Sequence, residues 1–242
     1  MSKMIYDKDF FIHTSFVDRY DYLRPFAIWE LFQATAGKHA DLIGVGFDDV
    51  VKLNLLWIVQ YQEFKVVGNM PKYGQTVHIK TWPHEKNRLE FPREYEIYDG
   101  DGNLSITAIS SWFIVDKDSH RIVRGDEVKF NGEFEDFTHY PNYRRKKLNL
   151  EPVGDVKKFN YKVLLTDLDH NGHTNNAKYF DMVYNMGMTQ IKDIKGGAIS
   201  FIKEALVNEN LTIEYFKNSD NFDCYKGFNE NNEAVFEIIL EV

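Results

Sequence analysis

Residues 25–44 read PFAIWELFQATAGKHADLIG. Ile28, Trp29, Phe32, Ala36, Ala40 and Ile43 recur at steps of three and four, which puts them on one face of an amphipathic helix. Pro25 suits the first turn, where a missing N–H goes unnoticed, and Gly44 suits the end. Upstream, residues 5–17 are aromatic and β-branched enough for a strand. Downstream the pattern is β. NLLWIVQYQEFKVV (54–67) is long and mostly apolar, as a strand covered on one face would be. VHIKTW (77–82), EYEIYDGDG (94–102) and LSITAISSWFIVD (104–116) alternate, with Leu104, Ile106, Ala108, Trp112 and Ile114 on one face. YDGDGN (98–103) between two such runs signals a hairpin. The first half therefore reads β–α–β–β–β–β.

From about residue 117 to 155 the pattern breaks into Asp, Gly, Asn and Pro around a basic run, Arg144, Arg145, Lys146 and Lys147, and this reads as a linker with some order. Then the pattern starts again. FNYKVLL (159–165) is strand-like. NNAKYFDMVYNMGMTQI (175–191) is helix-like, with Ala177, Phe180, Val183 and Met186 or Gly187 on one face. Strands follow at AISFIKEAL (198–206), LTIEYF (211–216), FDCYKGF (222–228) and AVFEIILEV (234–242), the last placing Phe236, Ile238, Leu240 and Val242 together. VDRYDYLRPFAIWELF (17–32) lies against TDLDHNGHTNNAKYFDMV (166–183), and TVHIKTW (76–82) against LTIEYFK (211–217). The residues repeat weakly but the element order repeats fully, which predicts two similar α+β units in one chain.

The composition agrees with a folded chain. Its 242 residues allow one large domain or two compact ones, and 43% hydrophobic with 27% charged is a globular balance. Net charge is 29 − 37 = −8, a poor basis for binding nucleic acid, whose phosphates need clustered Lys and Arg. The one cysteine, Cys224, excludes an intrachain disulfide framework and sits in an expected strand, where core packing is its expected role. No apolar run reaches the ~18 residues that span a bilayer, so the expected location is the cytoplasm.

The densest polar constellation is TDLDHNGHTNN (166–176), between the strand and the helix of the second unit. Such a junction aims side chains and unpaired helix N–H groups at one place. Asp167, Asp169, Asn171 and His173 alternate, Asn171-Gly172 favours a tight turn, and Thr174 or Asn175 can cap the helix. Four readings stay open. D-x-D-x-N-G opens an EF-hand loop, but Lys178 stands at the twelfth position in place of the bidentate Glu, and no helix precedes it. Asp167, Asp169, His170 and His173 are transition-metal ligand types without an outlying His to complete the set. Each residue alone suits a turn or a cap. A carboxylate, an amide and an imidazole together at a helix entrance supply a base, an orienting donor and an oxyanion-stabilising field, which suits hydrolysis of an activated ester.

DLDHNGHTNNAKY (167–179) resembles the Asp-x-Asn-x-His turn, with Asn-Asn and a helical Tyr after it, of the acyl-acyl carrier protein (acyl-ACP) thioesterases. The likeness extends to the helix with Gln33, Ala36 and His39, to NLLWIV (54–59), PKYGQTVHIKTW (71–82) and SSWFIVDKDSHRIVR (110–124), and so to nearly the whole chain. The resemblance implies two tandem hot dog domains, each a long helix wrapped by an antiparallel sheet: 1–118 as an acyl-binding unit, 119–155 as a linker, and 156–242 as the catalytic unit. It implies Asp169, Asn171 and His173 as catalytic residues, no cofactor and no metal, and an acyl carrier protein with a phosphopantetheine-linked chain as partner.

The family often adds a Glu in a Tyr-x-x-Glu-like arrangement. Read after LTIEY, that place holds Asn218, with Ser219 where plant members carry Cys, which shifts the burden to Asp169 as base or as nucleophile. In the first unit the matching residues are Asp18, Arg19, Tyr20, Asp21 and Tyr22, so Tyr20 and Tyr22 stand for the Asn and His, and only the second unit keeps the chemistry. Trp29, Trp57, Trp82 and Trp112 all fall in the first unit, where either an acyl pocket or a larger core would use them. An acidic carrier needs a basic landing; Arg144, Arg145, Lys146 and Lys147, with Arg88 and Arg93, are the candidates, and a solvated run is the alternative. The rivals are a hot dog acyl-CoA thioesterase, a dehydratase-like lyase (though no His-Phe-Pro-Gly-like turn is present) and a non-catalytic acyl-binding module. The units can close on each other as a pseudo-dimer, or the chain can pair again as a homodimer.

Overall fold

The computed structural model describes residues 2–242. The first unit holds β1 (Tyr6–Phe11), α1 (Pro25–Leu42), α2 (Phe47–Val51), β2 (Leu55–Val66), β3 (Thr76–Pro83), β4 (Glu90–Tyr98) and β5 (Leu104–Asp116). A two-residue strand, β6 (Ile122–Val123), pairs with β5. The second unit holds β7 (Val153–Lys162), α3 (Lys178–Tyr184), β8 (Gly196–Phe201), β9 (Asn210–Lys217), β10 (Asp223–Phe228) and β11 (Ala234–Glu241). The first expected strand is shorter than residues 5–17, since a 3-10 turn at Thr14–Phe16 takes over before the helix.

The strands order as β1-β3-β4-β5-β2-β8-β11-β10-β9-β7, a sequence that reads the same from either end once the units are matched. The units are therefore related by an internal two-fold. They join through the antiparallel pair β2–β8, with Tyr61 opposite Ser200 and Phe64 opposite Gly197. Gly197 is required there: a Cβ would come within 2.6 Å of Leu240 and 3.0 Å of the Phe64 ring.

Both helices lie on one face of this sheet. Trp29 and Phe32 of α1 pack on Ile79, Tyr95 and Ala108, while Tyr179 and Phe180 of α3 pack on Ile199, Ile213 and Phe236. The expected long helix of the second unit is only seven residues, against 18 for α1. Its first expected residues form a turn, and Gly187, with φ of +67°, ends the helical run soon after Tyr184.

The segment between the units packs on the other face of the sheet. Leu148 and Leu150 join Tyr61, Ala198, Phe216 and Cys224. The buried Glu94 carboxylate accepts from Thr138 Oγ1, from the His139 amide at 2.9 Å, and pairs with His84 Nε2 at 2.8 Å. His139 Nε2 reaches Glu96 at 2.7 Å. The tryptophans divide accordingly: Trp29 is on the buried face of α1, Trp57 and Trp112 join Phe91 in a separate cluster, and Trp82 meets Phe137 and His139 on the outer face. They do not share a single pocket.

Candidate active site

The turn at 169–173 is built by its own first residue. Asp169 N donates to His173 O at 2.8 Å, and Asp169 Oδ1 accepts from the amides of Asn171 at 2.8 Å and His173 at 3.2 Å. Gly172 supplies the left-handed residue that closes the turn, at φ +84°. The first unit repeats this geometry. Asp18 N donates to Tyr22 O at 2.9 Å, Asp18 Oδ1 accepts from Tyr20 N at 2.9 Å and Tyr22 N at 3.0 Å, and Asp21 takes φ +68°. Asp18, Tyr20 and Tyr22 are thus the structural counterparts of Asp169, Asn171 and His173. The same hydrogen bonds shift one expected match by a residue: Ile12 N bonds Gln75 O as Val163 N bonds Glu209 O, so Thr76 matches Asn210 and not Leu211.

Of the predicted residues, Asn171 is exposed while Asp169 and His173 are partly buried. Asp167 is not with them. Its buried carboxylate accepts from Tyr161 Oη at 2.9 Å and Leu164 N at 2.8 Å, which fixes the entry to the turn. His170 leaves its own unit and meets the Phe47 ring of α2 edge-on, at 5.3 Å between centroids.

A carboxylate does stand beside the imidazole. Glu204 Oε2 lies 3.5 Å from His173 Nε2, carried there by the turn between β8 and β9, where His173 bridges Leu206. Asn218 is elsewhere. It lies just past the far end of β9, ~25 Å along an extended strand. There its Oδ1 accepts from Asp220 N and Phe222 N, and its Nδ2 donates to Asn149 O. Asn218 therefore does not stand beside the turn as expected, whereas the aromatic-x-x-Glu spacing that also occurs one strand earlier, as Phe201-Ile202-Lys203-Glu204, ends on the carboxylate that does.

The basic run is also not at this site. Arg145 donates to Gln60 Oε1 at 2.7 Å and lies over Phe113, and Lys146 approaches Glu63 at 4.0 Å, on the sheet face opposite the helices. Arg93 cannot receive a carrier, because it is buried under α1, donating to His39 Nδ1 at 3.1 Å and Thr81 Oγ1 at 3.2 Å. Burial and the Arg93 charge pull His39 down to about 3, so its ring is neutral. Cys224 is fully buried, and burial pushes its thiol up to about 12, which suits a packing role.

Two like units sharing one sheet beneath their helices, with an imidazole on the second unit's helix-entrance turn paired to a carboxylate from the turn between β8 and β9, define a tandem hot dog protein. The chain belongs to the acyl-ACP thioesterase family: the family's N-terminal domain matches residues 3–128 and its C-terminal domain residues 150–238. It is 27% identical over 188 residues to the chloroplastic palmitoyl-acyl carrier protein thioesterase of Arabidopsis thaliana, covering 71% of this chain and 45% of that protein. It is 25% identical over 183 residues to the oleoyl-acyl carrier protein thioesterase 1 of the same plant, covering 69% and 50%. The chain thus spans about half the length of the curated relatives it matches. Its fold is that of an acyl-ACP thioesterase from Bacteroides thetaiotaomicron (TM-score 0.79, 19% identity, 98% of this chain and 97% of that one). The 12:0-ACP thioesterase from Umbellularia californica superposes equally well (TM-score 0.80, 16% identity, 100% and 98%). No helix of the described residues is long and apolar enough to cross a membrane.

Proposed function

We propose that this chain hydrolyses the thioester of fatty acyl-acyl carrier protein and releases the free fatty acid. The observation that carries the reading is Glu204 paired with His173, which sits on a turn whose shape Asp169 holds. Glu204, oriented by His173, takes a proton from water as the oxygen attacks the thioester carbonyl carbon. The Asn171 side-chain amide donates to the developing oxyanion. The C–S bond then breaks, the proton passes to the departing phosphopantetheine sulfur, and acid and thiol leave separately. In this reading Asp169 orders the turn and biases its electrostatics, which makes an anhydride on Asp169 unnecessary. The acyl chain is assigned to the first unit.

The test is thiol release from a panel of acyl-carrier substrates and the matching coenzyme A esters, followed with a thiol reagent. Turnover of the carrier-bound esters, with kcat/KM above that for the coenzyme A esters, is the expected result. No thiol from either set would leave an acyl-binding protein, and preference for coenzyme A would move the assignment to an acyl-CoA thioesterase.

A further inference from the structure

The two helices meet across the unit boundary through two contacts related by the internal two-fold. From the matched turns, Arg24 corresponds to Asn175, since Arg24 N bonds Phe16 O as Asn175 N bonds Asp167 O. Glu30 then corresponds to Asp181, and the burial pattern agrees: Ile28, Trp29, Leu31 and Phe32 fall on Tyr179, Phe180, Met182 and Val183. At one contact Arg24 Nη1 donates to Asp181 Oδ1 at 2.8 Å, a half-buried ion pair. At the mirror contact, the one beside the candidate active site, the two-fold sets the Asn175 side chain against Glu30, so a neutral amide stands where symmetry would put a cation. The charged groups facing Glu30 are Lys178 and Asp181 of α3, and Lys178 is shared with Asp181 at 3.7 Å.

Asn175 links this carboxylate to the turn. Its Oδ1 accepts from Ala177 N at 2.8 Å, which holds the entrance to α3. Thr174 points the other way, bonding Ala205 O at 2.7 Å, so in the extended segment 173–175 the side chains of His173 and Asn175 share one side. Gln33, three residues past Glu30 on the same face of α1, keeps a buried Nε2 donor without a partner. The first unit's helix thus brings polar groups to the boundary, where a purely structural helix face would be apolar.

We propose that Glu30, a residue of the first unit, is a positioning residue of the second unit's active site: it orients the Asn175 amide and, through it, the His173 side of the turn. The proposal rests on the thioesterase reading. Glu30→Ala is expected to lower kcat about tenfold with KM within twofold. Glu30→Gln keeps an acceptor for the Asn175 amide and is expected to restore most of the rate. Combining Glu30→Ala with Asn175→Ala is expected to cost no more than the worse single change, the mark of two residues acting as a unit. Asp181→Asn at the mirror contact is the control: it is expected to lower the melting temperature and leave kcat within twofold. Equal losses of kcat in Glu30→Ala and Asp181→Asn would reduce Glu30 to helix–helix adhesion, and an unchanged kcat in Glu30→Ala would remove it from the site. The Asn175 side-chain amide resonance gives a readout independent of turnover. It should move in Glu30→Ala and return toward its native position in Glu30→Gln. If the native protein releases no thiol while this resonance behaves as stated, the functional reading fails and the contact stands. An unmoved resonance would overturn the contact itself.

Discussion

His173 Nε2 and Glu204 Oε2 lie 3.5 Å apart, brought together from the turn before α3 and the turn after β8. Both side chains remain partly open to solvent, as groups that must meet a substrate would be. Glu204→Ala or Glu204→Gln should therefore lower kcat by about 10²–10³-fold, the usual range for a positioned acid–base group, with little change in melting temperature. Asn218→Ala should do the reverse. Its buried amide bonds three backbone groups, so its loss should cost about 1–3 kcal/mol of stability. Its rate per folded molecule should stay native. A native rate in the Glu204 variants would return the base to Asp169.

The paired turns separate shape from chemistry. In each, one Asp oxygen accepts two backbone amides, a task that an Asn side-chain oxygen can also perform. Asp18→Asn and Asp169→Asn should both retain the fold, with melting temperatures close to native. Only Asp169→Asn should slow thioester hydrolysis, by about tenfold or more. Matching rates in the two variants would mean that the Asp169 charge has no part in the reaction.

Periodicity made most of the fold legible. The stepping of Ile28, Trp29, Phe32 and Ala36 marked α1, and the alternation in 104–116 marked a single strand, because each pattern is long compared with its own period. The second helix was overestimated because apolar spacing runs on through Met186, whereas Gly187 adopts a left-handed conformation that a spacing count does not register. The candidate site was legible up to one residue. Asp169, Asn171 and His173 are contiguous and could be read as a unit, but Glu204 joins them only through the pairing of His173 with Leu206, a tertiary fact. A one-residue slip in matching β3 to β9 hid the parity of that region, since a single step in register exchanges the two faces of a strand. The role of the 117–155 segment was also hidden: its Thr138, His139, Leu148 and Leu150 look like linker residues until Glu94 and the outer sheet face are placed beneath them.

Charge reversal in the basic run should have little effect on carrier recognition. Arg144 and Lys147 lie on the sheet face opposite the helices, and a phosphopantetheine arm does not pass through a sheet. Arg144→Glu with Lys147→Glu should therefore leave KM for carrier-bound substrate within twofold of native. A KM raised for carrier esters and unchanged for coenzyme A esters would restore the run as a landing surface.

Phe47 and His170 form the aromatic contact between α2 of the first unit and the turn. Phe47 is well fixed: Trp57 Nε1 donates to Val45 O at 2.9 Å, and Gly46 lies so near Asp41 that a Cβ would come within 2.2 Å of its carboxylate. Such an edge-to-face pair contributes about 0.5–1.5 kcal/mol. Phe47→Ala and His170→Ala should each reduce kcat/KM several-fold, the double variant should be no worse, and His170→Phe should remain near native. Additive losses would show that the rings act separately.

His39 should make the protein acid-sensitive without any part in the reaction. Its ring, on the last turn of α1, is buried against the sheet, stacked 5.8 Å from Tyr6, and accepts from Arg93, so burial first and the guanidinium second hold it neutral down to about 3. In the unfolded chain the same ring titrates near 6.5. Between those values the unfolded state carries the extra proton. Stability contributed by His39 is therefore full above about 6.5 and is lost as pH falls toward 3, with a slope of up to about 1.4 kcal/mol per pH unit. His39→Asn keeps an oxygen acceptor for Arg93 and cannot take up the proton. The denaturation midpoint of the native protein should drop from pH 7 to pH 5 by more than that of His39→Asn, other carboxylates and histidines contributing equally to both. Parallel pH profiles for the two proteins would show that the buried ring is already protonated, or that acid opens the α1 contact before His39 titrates.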